Sequence, residues 1–95
     1  MKFSIIIPVY NARKTLPFSL DSLYASFERD FEVIAVDDRS TDDSVRVLKE
    51  YPCVILCNEK NRGCAASRNR GATYAHGEIL VFMDADVVIR RDALP

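Results

Sequence analysis

Residues 2–9, KFSIIIPV, run almost unbroken through apolar side chains. A strand with one face in water would alternate apolar and polar residues. A continuous run instead reads as a strand covered on both faces, the usual setting of a parallel sheet. Three later segments repeat the pattern: FEVIAVDD at 31–38, CVILC at 53–57 and EILVFMDAD at 78–86. Between them lie stretches with helical spacing. In NARKTLPFSLDSLYASF, Leu16, Leu20, Leu23 and Phe27 fall on one helical face, with Thr15 as the expected N-cap and Pro17 in the first turn. STDDSVRVLKEY reads as a short helix capped by Ser40 or Thr41, with Asp42 and Asp43 at its positive end and Lys49 near its negative end. CAASRNRGATYAHG reads as a third helix, rich in small residues and stopped by Gly77; Gly71 inside it weakens that assignment.

The order βαβαβαβ implies an α/β architecture, a Rossmann-like parallel sheet with helices on its faces and right-handed crossovers. Ninety-five residues allow one small domain, 1–95. The segment VVIRRDALP has no closing element after it, so the expected domain is one lacking its second half.

A net charge of −1 gives no ground for nucleic-acid or anionic-membrane binding. No apolar run is long enough to span a bilayer, and no signal peptide is visible. Cys53, Cys57 and Cys64 fit no disulfide scaffold and have no neighbouring histidine for zinc. They read as reduced, partly buried thiols, which points to the cytoplasm; membrane association would belong to a longer form of the protein. His76 reads as a surface residue without a role.

In open α/β sheets, ligands sit beyond the carboxyl ends of the strands. The first strand ends in Pro8, Val9, Tyr10 and Asn11, the second in Asp37 and Asp38, the fourth in Asp84, Ala85 and Asp86. The acids should therefore gather along one edge. In extended chain, Asp84 and Asp86 would point to one side, roughly 6.5 Å apart along the strand. Such a pair suits Mg²⁺ or Mn²⁺, especially a cation that keeps waters and binds diphosphate oxygens. A solvated turn after the strand is the plainer alternative. Ser40 and Thr41 already supply caps, which leaves one of Asp37 and Asp38 free to accept a hydrogen bond from a base or ribose. Tyr10 is either a packing ring or a flat surface for a nucleobase. In NEKNRGCAASRNRG, Lys60, Arg62, Arg68 and Arg70 surround a helix start at Gly63, a setting that favours phosphate. Arg70 is expected on a solvated face, and Arg68 could pair with the acids.

IIIPVYN, VDDRSTDDS, NRGCAASRNRG and FMDAD, in this order and at these spacings, resemble the N-terminal half of the family 2 inverting glycosyltransferases of the GT-A fold. The resemblance covers essentially the whole chain. It implies a three-layer domain with strand order 3-2-1-4. Pro8, Val9 and Tyr10 match the segment lining the nucleobase pocket, with Tyr10 as the stacking ring. Asp38 matches the acid that hydrogen-bonds the base. Arg68 matches an arginine beside the nucleotide, although Ser67 stands where alanine is common. Asp84 and Asp86 match the D-x-D motif: the first acid faces ribose or sugar, and the last binds the metal on the diphosphate. The implied reaction moves a sugar from a nucleotide diphosphate, UDP preferred, to a glycan, lipid or protein acceptor, as in cell-wall or polysaccharide synthesis. The general base belongs to the following half, so no catalytic residue is assigned in this chain. On that basis the chain alone should bind nucleotide weakly and transfer no sugar.

Three other readings compete. A phosphoacceptor receiver domain also separates an acid pair from a later strand-end Asp, but it would begin at the acid-bearing strand. A nucleotidyltransferase would carry a glycine-rich loop after the first strand, and PVYNARKTL has no glycine. A folding remnant without ligand is the third.

Overall fold

A computed structural model describes residues 1–94; Pro95, which closes the expected 1–95 domain, lies outside them. The sequence forms β1 (Phe3–Val9), α1 (Leu16–Tyr24), β2 (Phe31–Asp37), α2 (Ser44–Leu48), β3 (Val54–Cys57), α3 (Cys64–Thr73) and β4 (Ile79–Phe82). The four strands make one sheet in the order β3-β2-β1-β4, with every pair parallel. The expected topology and strand order are both present.

Period-two alternation splits the apolar residues of β1 between two layers. Ile5, Ile7 and Val9 join Val33 and Ala35 of β2 on one face, under Leu16, Leu20 and Leu23 of α1 and Leu48 of α2. Ile6 faces the other way and joins Ile34 and Val36 under Ala72 of α3 and the following Ala75. Both central strands are thus covered on both faces, as their unbroken apolar runs require. Each fully buried Ile, Leu or Val contributes about 1.5–3 kcal/mol, so the central pair dominates the core.

The outer strands differ from expectation. Ile79, Leu80 and Phe82 of β4 are 45%, 41% and 49% exposed, so the run before the D-x-D motif is an edge strand and not a core strand. β3 begins at Val54 rather than Cys53, and its ends are exposed. Cys53 is half-buried, whereas Cys57 and Cys64 are exposed free thiols.

The helices are shorter than their patterns suggest, because polar side chains near their ends bond elsewhere. α1 starts after Thr15 with Pro17 in its first turn, but the Thr15 hydroxyl caps nothing. It donates to the Ala85 carbonyl at 3.1 Å and so ties α1 to the turn after β4. Phe27 lies beyond α1 and is exposed. α2 begins after Asp43, not at Ser40 or Thr41. Ser40 bonds Asp37, the Thr41 amide bonds Asn11, and Asp42 takes the Ser44 amide. α3 ends at Thr73, short of Gly77. Gly77 instead packs against the β1 backbone, where an added Cβ would stand 2.6 Å from Phe3 C and Ser4 N. The segment after β4 is docked along α1. Ser19 donates to the Val87 carbonyl, Ser22 accepts the Ile89 amide, and Ile89 packs on the core. No helix of the described residues is long and apolar enough to cross a membrane.

Candidate functional site

Parallel pairing brings the ends of β1, β2 and β4 to one edge of the sheet. Two of the hollows at this edge adjoin each other. The first, about 580 Å³, is lined by Pro8, Val9, Tyr10 and Asp38 with Arg39, Thr41, Asn61, Gly63, Cys64 and Ser67. Its volume lies in the range of small-molecule sites. The second, about 400 Å³, holds Asp84, Ala85 and Asp86 against Thr15, Ala12 and Asn11. Pro8, Tyr10 and Cys64 line both hollows and form their common wall. The Tyr10 ring is about half-exposed at this wall.

Asp38 follows β2 and is 5% exposed. Its amide donates to the Val9 carbonyl at 2.8 Å, which pins the ends of the two central strands together. Its Oδ1 accepts the Arg62 amide at 2.7 Å and the Asn58 side-chain amide at 2.9 Å; Oδ2 accepts the Gly63 amide at 2.9 Å. Burial pushes this carboxyl up. The Arg62 N–H, the Asn58 amide, the Gly63 N–H and the Arg62 charge outweigh burial and hold it below its ordinary value. A carboxylate offers about four lone-pair positions, and three are filled. Asp38 lines the first hollow, and its remaining acceptor capacity suits an N–H donor.

Asp37 is buried and closed off, accepting from the Ser40 amide at 3.0 Å and the Ser40 hydroxyl at 2.6 Å. Of the acid pair, Asp38 alone lines the hollow. The acids therefore do not gather into one cluster. Asp38 serves the first hollow, Asp84 and Asp86 the second. These last two are exposed and separated by buried Ala85. They lie in a turn beyond β4, closed by the Val87 amide on the Asp84 carbonyl, so the extended spacing expected for them does not hold. Among the described residues, no group of three or more Asp, Glu, His or Cys is placed to hold a metal ion by itself.

Arg68 on α3 meets Asp84, with Nη2 3.4 Å from Oδ1. Arg70 corrects another expectation. It does not lie free on a solvated face but donates Nη1 to the Cys57 carbonyl and to Asn58 Oδ1, both at 2.8 Å. The amides before α3 were expected to favour phosphate; those of Arg62 and Gly63 instead go to Asp38. Gly63 itself adopts φ 94°, a conformation open to glycine. Asn58 went unnoticed in the sequence, yet it links Asp38, Ser67 and Arg70. Its only sequence signal is a polar residue directly after an apolar strand.

A model of the family described as "Glycosyl transferase family 2" matches residues 4–95. The chain belongs to glycosyl transferase family 2. The poly(ribitol-phosphate) beta-glucosyltransferase of Bacillus spizizenii is 39% identical over 102 residues, an alignment covering 99% of this chain and 16% of that protein. Among solved structures, Staphylococcus aureus TarS 1-349 in complex with UDP-GlcNAc superposes with a TM-score of 0.93 at 35% identity, over 96% of this chain and 28% of that one. The Pyrobaculum calidifontis mannosyltransferase PcManGT, in complex with GDP-Man and Mn²⁺, gives 0.88 at 32% identity, over 98% of this chain and 30% of that one. The three-layer sheet of this family 2 chain is thus the GT-A fold of those transferases. The chain spans between 14% and 29% of the length of the curated relatives it matches. Family membership also sets aside the receiver and nucleotidyltransferase readings.

Proposed function

We propose that residues 1–95 form one nucleotide-sugar-binding domain, the donor half of a transferase that moves a sugar from a nucleotide diphosphate to an acceptor hydroxyl with inversion. The observation that carries this reading is the shared wall. Asp38 and Tyr10 line one hollow, Asp84 and Asp86 line the next, and Pro8, Tyr10 and Cys64 stand between them. A nucleotide is built the same way, with a flat base bearing N–H groups, then a ribose, then an anionic diphosphate. In this pose Pro8, Val9 and Tyr10 line the base site, and the Tyr10 ring offers its face. Asp38 accepts a base N–H on its remaining lone pair. Asp84 lies toward ribose or sugar, and Arg68 draws negative charge off the leaving diphosphate. UDP is the preferred donor carrier, supported by the UDP-GlcNAc complex of TarS.

Two exposed carboxylates fit Mg²⁺ or Mn²⁺ when diphosphate oxygens and water complete the shell, and the relative bound to GDP-Man and Mn²⁺ supports this donor set. A cation held by Asp86 and Asp84 would supply Lewis-acid stabilisation of the departing diphosphate. Attack by the acceptor hydroxyl requires a general base, and none is assigned to this chain. Glycan, lipid and protein acceptors all fit that chemistry.

Titration with UDP, GDP and dTDP, with and without Mn²⁺, tests the reading. UDP should bind most tightly, Mn²⁺ should strengthen it, and Asp86→Ala should abolish the metal effect. Binding that ignores Mn²⁺ in the parent removes the metal role, and no nucleotide binding at all removes the donor-site reading. Sugar transfer by the isolated chain would contradict the assignment of catalysis to a further part of the protein.

A further inference from the structure

Arg39 is the feature of this edge that the donor-site reading leaves unused. It is one of two non-glycine residues with positive φ among the described residues, at 60°; the other is Asn11, at 47°. Asparagine tolerates this left-handed region, because its short side chain can bond locally. Arginine has no such excuse, and a long side chain there is strained. The backbone needs the turn. It brings the Ser40 amide and hydroxyl back onto Asp37, and the Ser40 hydroxyl also accepts the Asn11 amide at 2.9 Å. Glycine would make the same turn without strain.

The Arg39 side chain is nevertheless fixed. It leaves the end of β2 and donates Nη1 to the Glu59 carbonyl at 2.9 Å, in the loop between β3 and α3. Arg39 lines the first hollow together with Tyr10 and Asp38. A guanidinium is planar and weakly hydrated, and it stacks on flat π systems. The Glu59 carbonyl takes one N–H direction and leaves the rest of the fork unclaimed by any described protein group.

We propose that Arg39 is a nucleobase-contacting residue, its guanidinium fixed by Glu59 so that its plane forms a second flat wall of the base site beside Tyr10. This rests on the donor-site reading and adds a specificity-determining contact to it. The strained backbone fits this role: the position keeps a flat cation at the base site where glycine would serve the turn alone.

The test titrates the parent, Arg39→Gly and Arg39→Lys with UDP and with uridine, and records thermal unfolding of each. Uridine carries the base and ribose without phosphate, so it separates a base contact from attraction of phosphate by charge. A base contact predicts that Arg39→Gly weakens UDP and uridine alike, each by about tenfold, while the unfolding midpoint does not fall, because glycine relieves the turn. Arg39→Lys keeps the charge but not the plane and should lose uridine affinity to a similar degree. Loss of UDP affinity with uridine unchanged would overturn the proposal in favour of a phosphate contact. Unchanged affinities in both variants would overturn it outright. Failure of the parent to bind either ligand would remove the donor-site reading and this contact with it.

Discussion

Asn58 Nδ2 stands 2.9 Å from Asp38 Oδ1 at a position only 5% exposed. The same nitrogen reaches Ser67 on α3, and the amide oxygen takes Arg70. One side chain, directly after β3, therefore joins the end of β2 to α3. Replacing it with alanine leaves Asp38 and Ser67, both buried, each short of a partner and takes one acceptor from Arg70. Asn58→Ala should destabilise the fold by about 1–3 kcal/mol, read as a lower urea midpoint. UDP affinity should also fall, because the Asp38 carboxylate is no longer held at one angle. An unchanged urea midpoint would show that water replaces the amide and that Asn58 does not set the geometry.

Acid should weaken the domain through three carboxylates. Burial pushes Asp38, Asp42 and Glu32 up, but hydrogen bonds outweigh it in each case. The donors are the Arg62 and Gly63 amides with Asn58 for Asp38, the Ser44 hydroxyl and amide for Asp42, and Ser4 with His76 for Glu32. All three folded values lie below the ordinary ones of 3.8, 3.8 and 4.5. The unfolded chain thus takes up protons first, and stability rises with pH across this window. The contribution is complete above the ordinary values and disappears as pH falls through the lowered ones. The thermal midpoint should stay level from pH 7 to about 5 and then decline steadily toward pH 3. A midpoint that stays level to pH 3 would mean these bonds persist in the unfolded chain or contribute nothing.

The Arg68–Asp84 pair should behave differently. At 3.4 Å, with side chains 39% and 61% exposed, it is a solvated ion pair, worth about 0–1 kcal/mol. Arg68→Ala should leave the thermal midpoint nearly unchanged. In the proposed role, the same change should weaken UDP while uridine affinity stays near the parent's, since the arginine serves the diphosphate. Equal loss for both ligands would place Arg68 at the base or in the fold, not at the phosphates.

The central sheet was legible because burial on both faces leaves an unbroken apolar run, as in SIIIPV and VIAV. The same signal misled at the edge. ILVF looks like a core strand, yet Ile79, Leu80 and Phe82 face outward, since apolar content does not say which neighbours are present. Asp38, Tyr10 and Asp84 could be placed at the edge that bears the hollows because a parallel sheet collects its strand ends there. Asn58 and Arg39 could not. One acts through hydrogen bonds between residues distant in sequence, and the other stands at a backbone angle that no residue pattern announces. The caps expected from Ser40 and Thr41 failed for a related reason: a nearer carboxylate, Asp37, and a neighbouring strand end, Asn11, took those groups.

Gly71 and Gly77 set how closely α3 and the turn after it approach the sheet, and both can be tested by adding one methyl. At Gly71, a Cβ would lie 2.6 Å from Ile6 Cγ2 and 3.1 Å from Val36 Cγ2. Ile6 is fully buried and β-branched, so it cannot swing aside. Helix propensity alone favours alanine by about 1 kcal/mol, but overpacking of this kind costs about 1–3 kcal/mol. Gly71→Ala should therefore be neutral to destabilising by about 2 kcal/mol, the difference of those two ranges. It should also shift α3 relative to Asp38 and weaken UDP. At Gly77 the added atom meets β1 backbone at 2.6 Å, where no rotamer change can help. That residue lies outside α3, so no helical gain offsets the clash. Gly77→Ala should be the more damaging of the two, with the larger fall in urea midpoint. The opposite order would mean that β1 yields more readily than the Ile6 side chain, and that side-chain packing under α3, more than backbone contact at its exit, holds the helix in place beside the hollow.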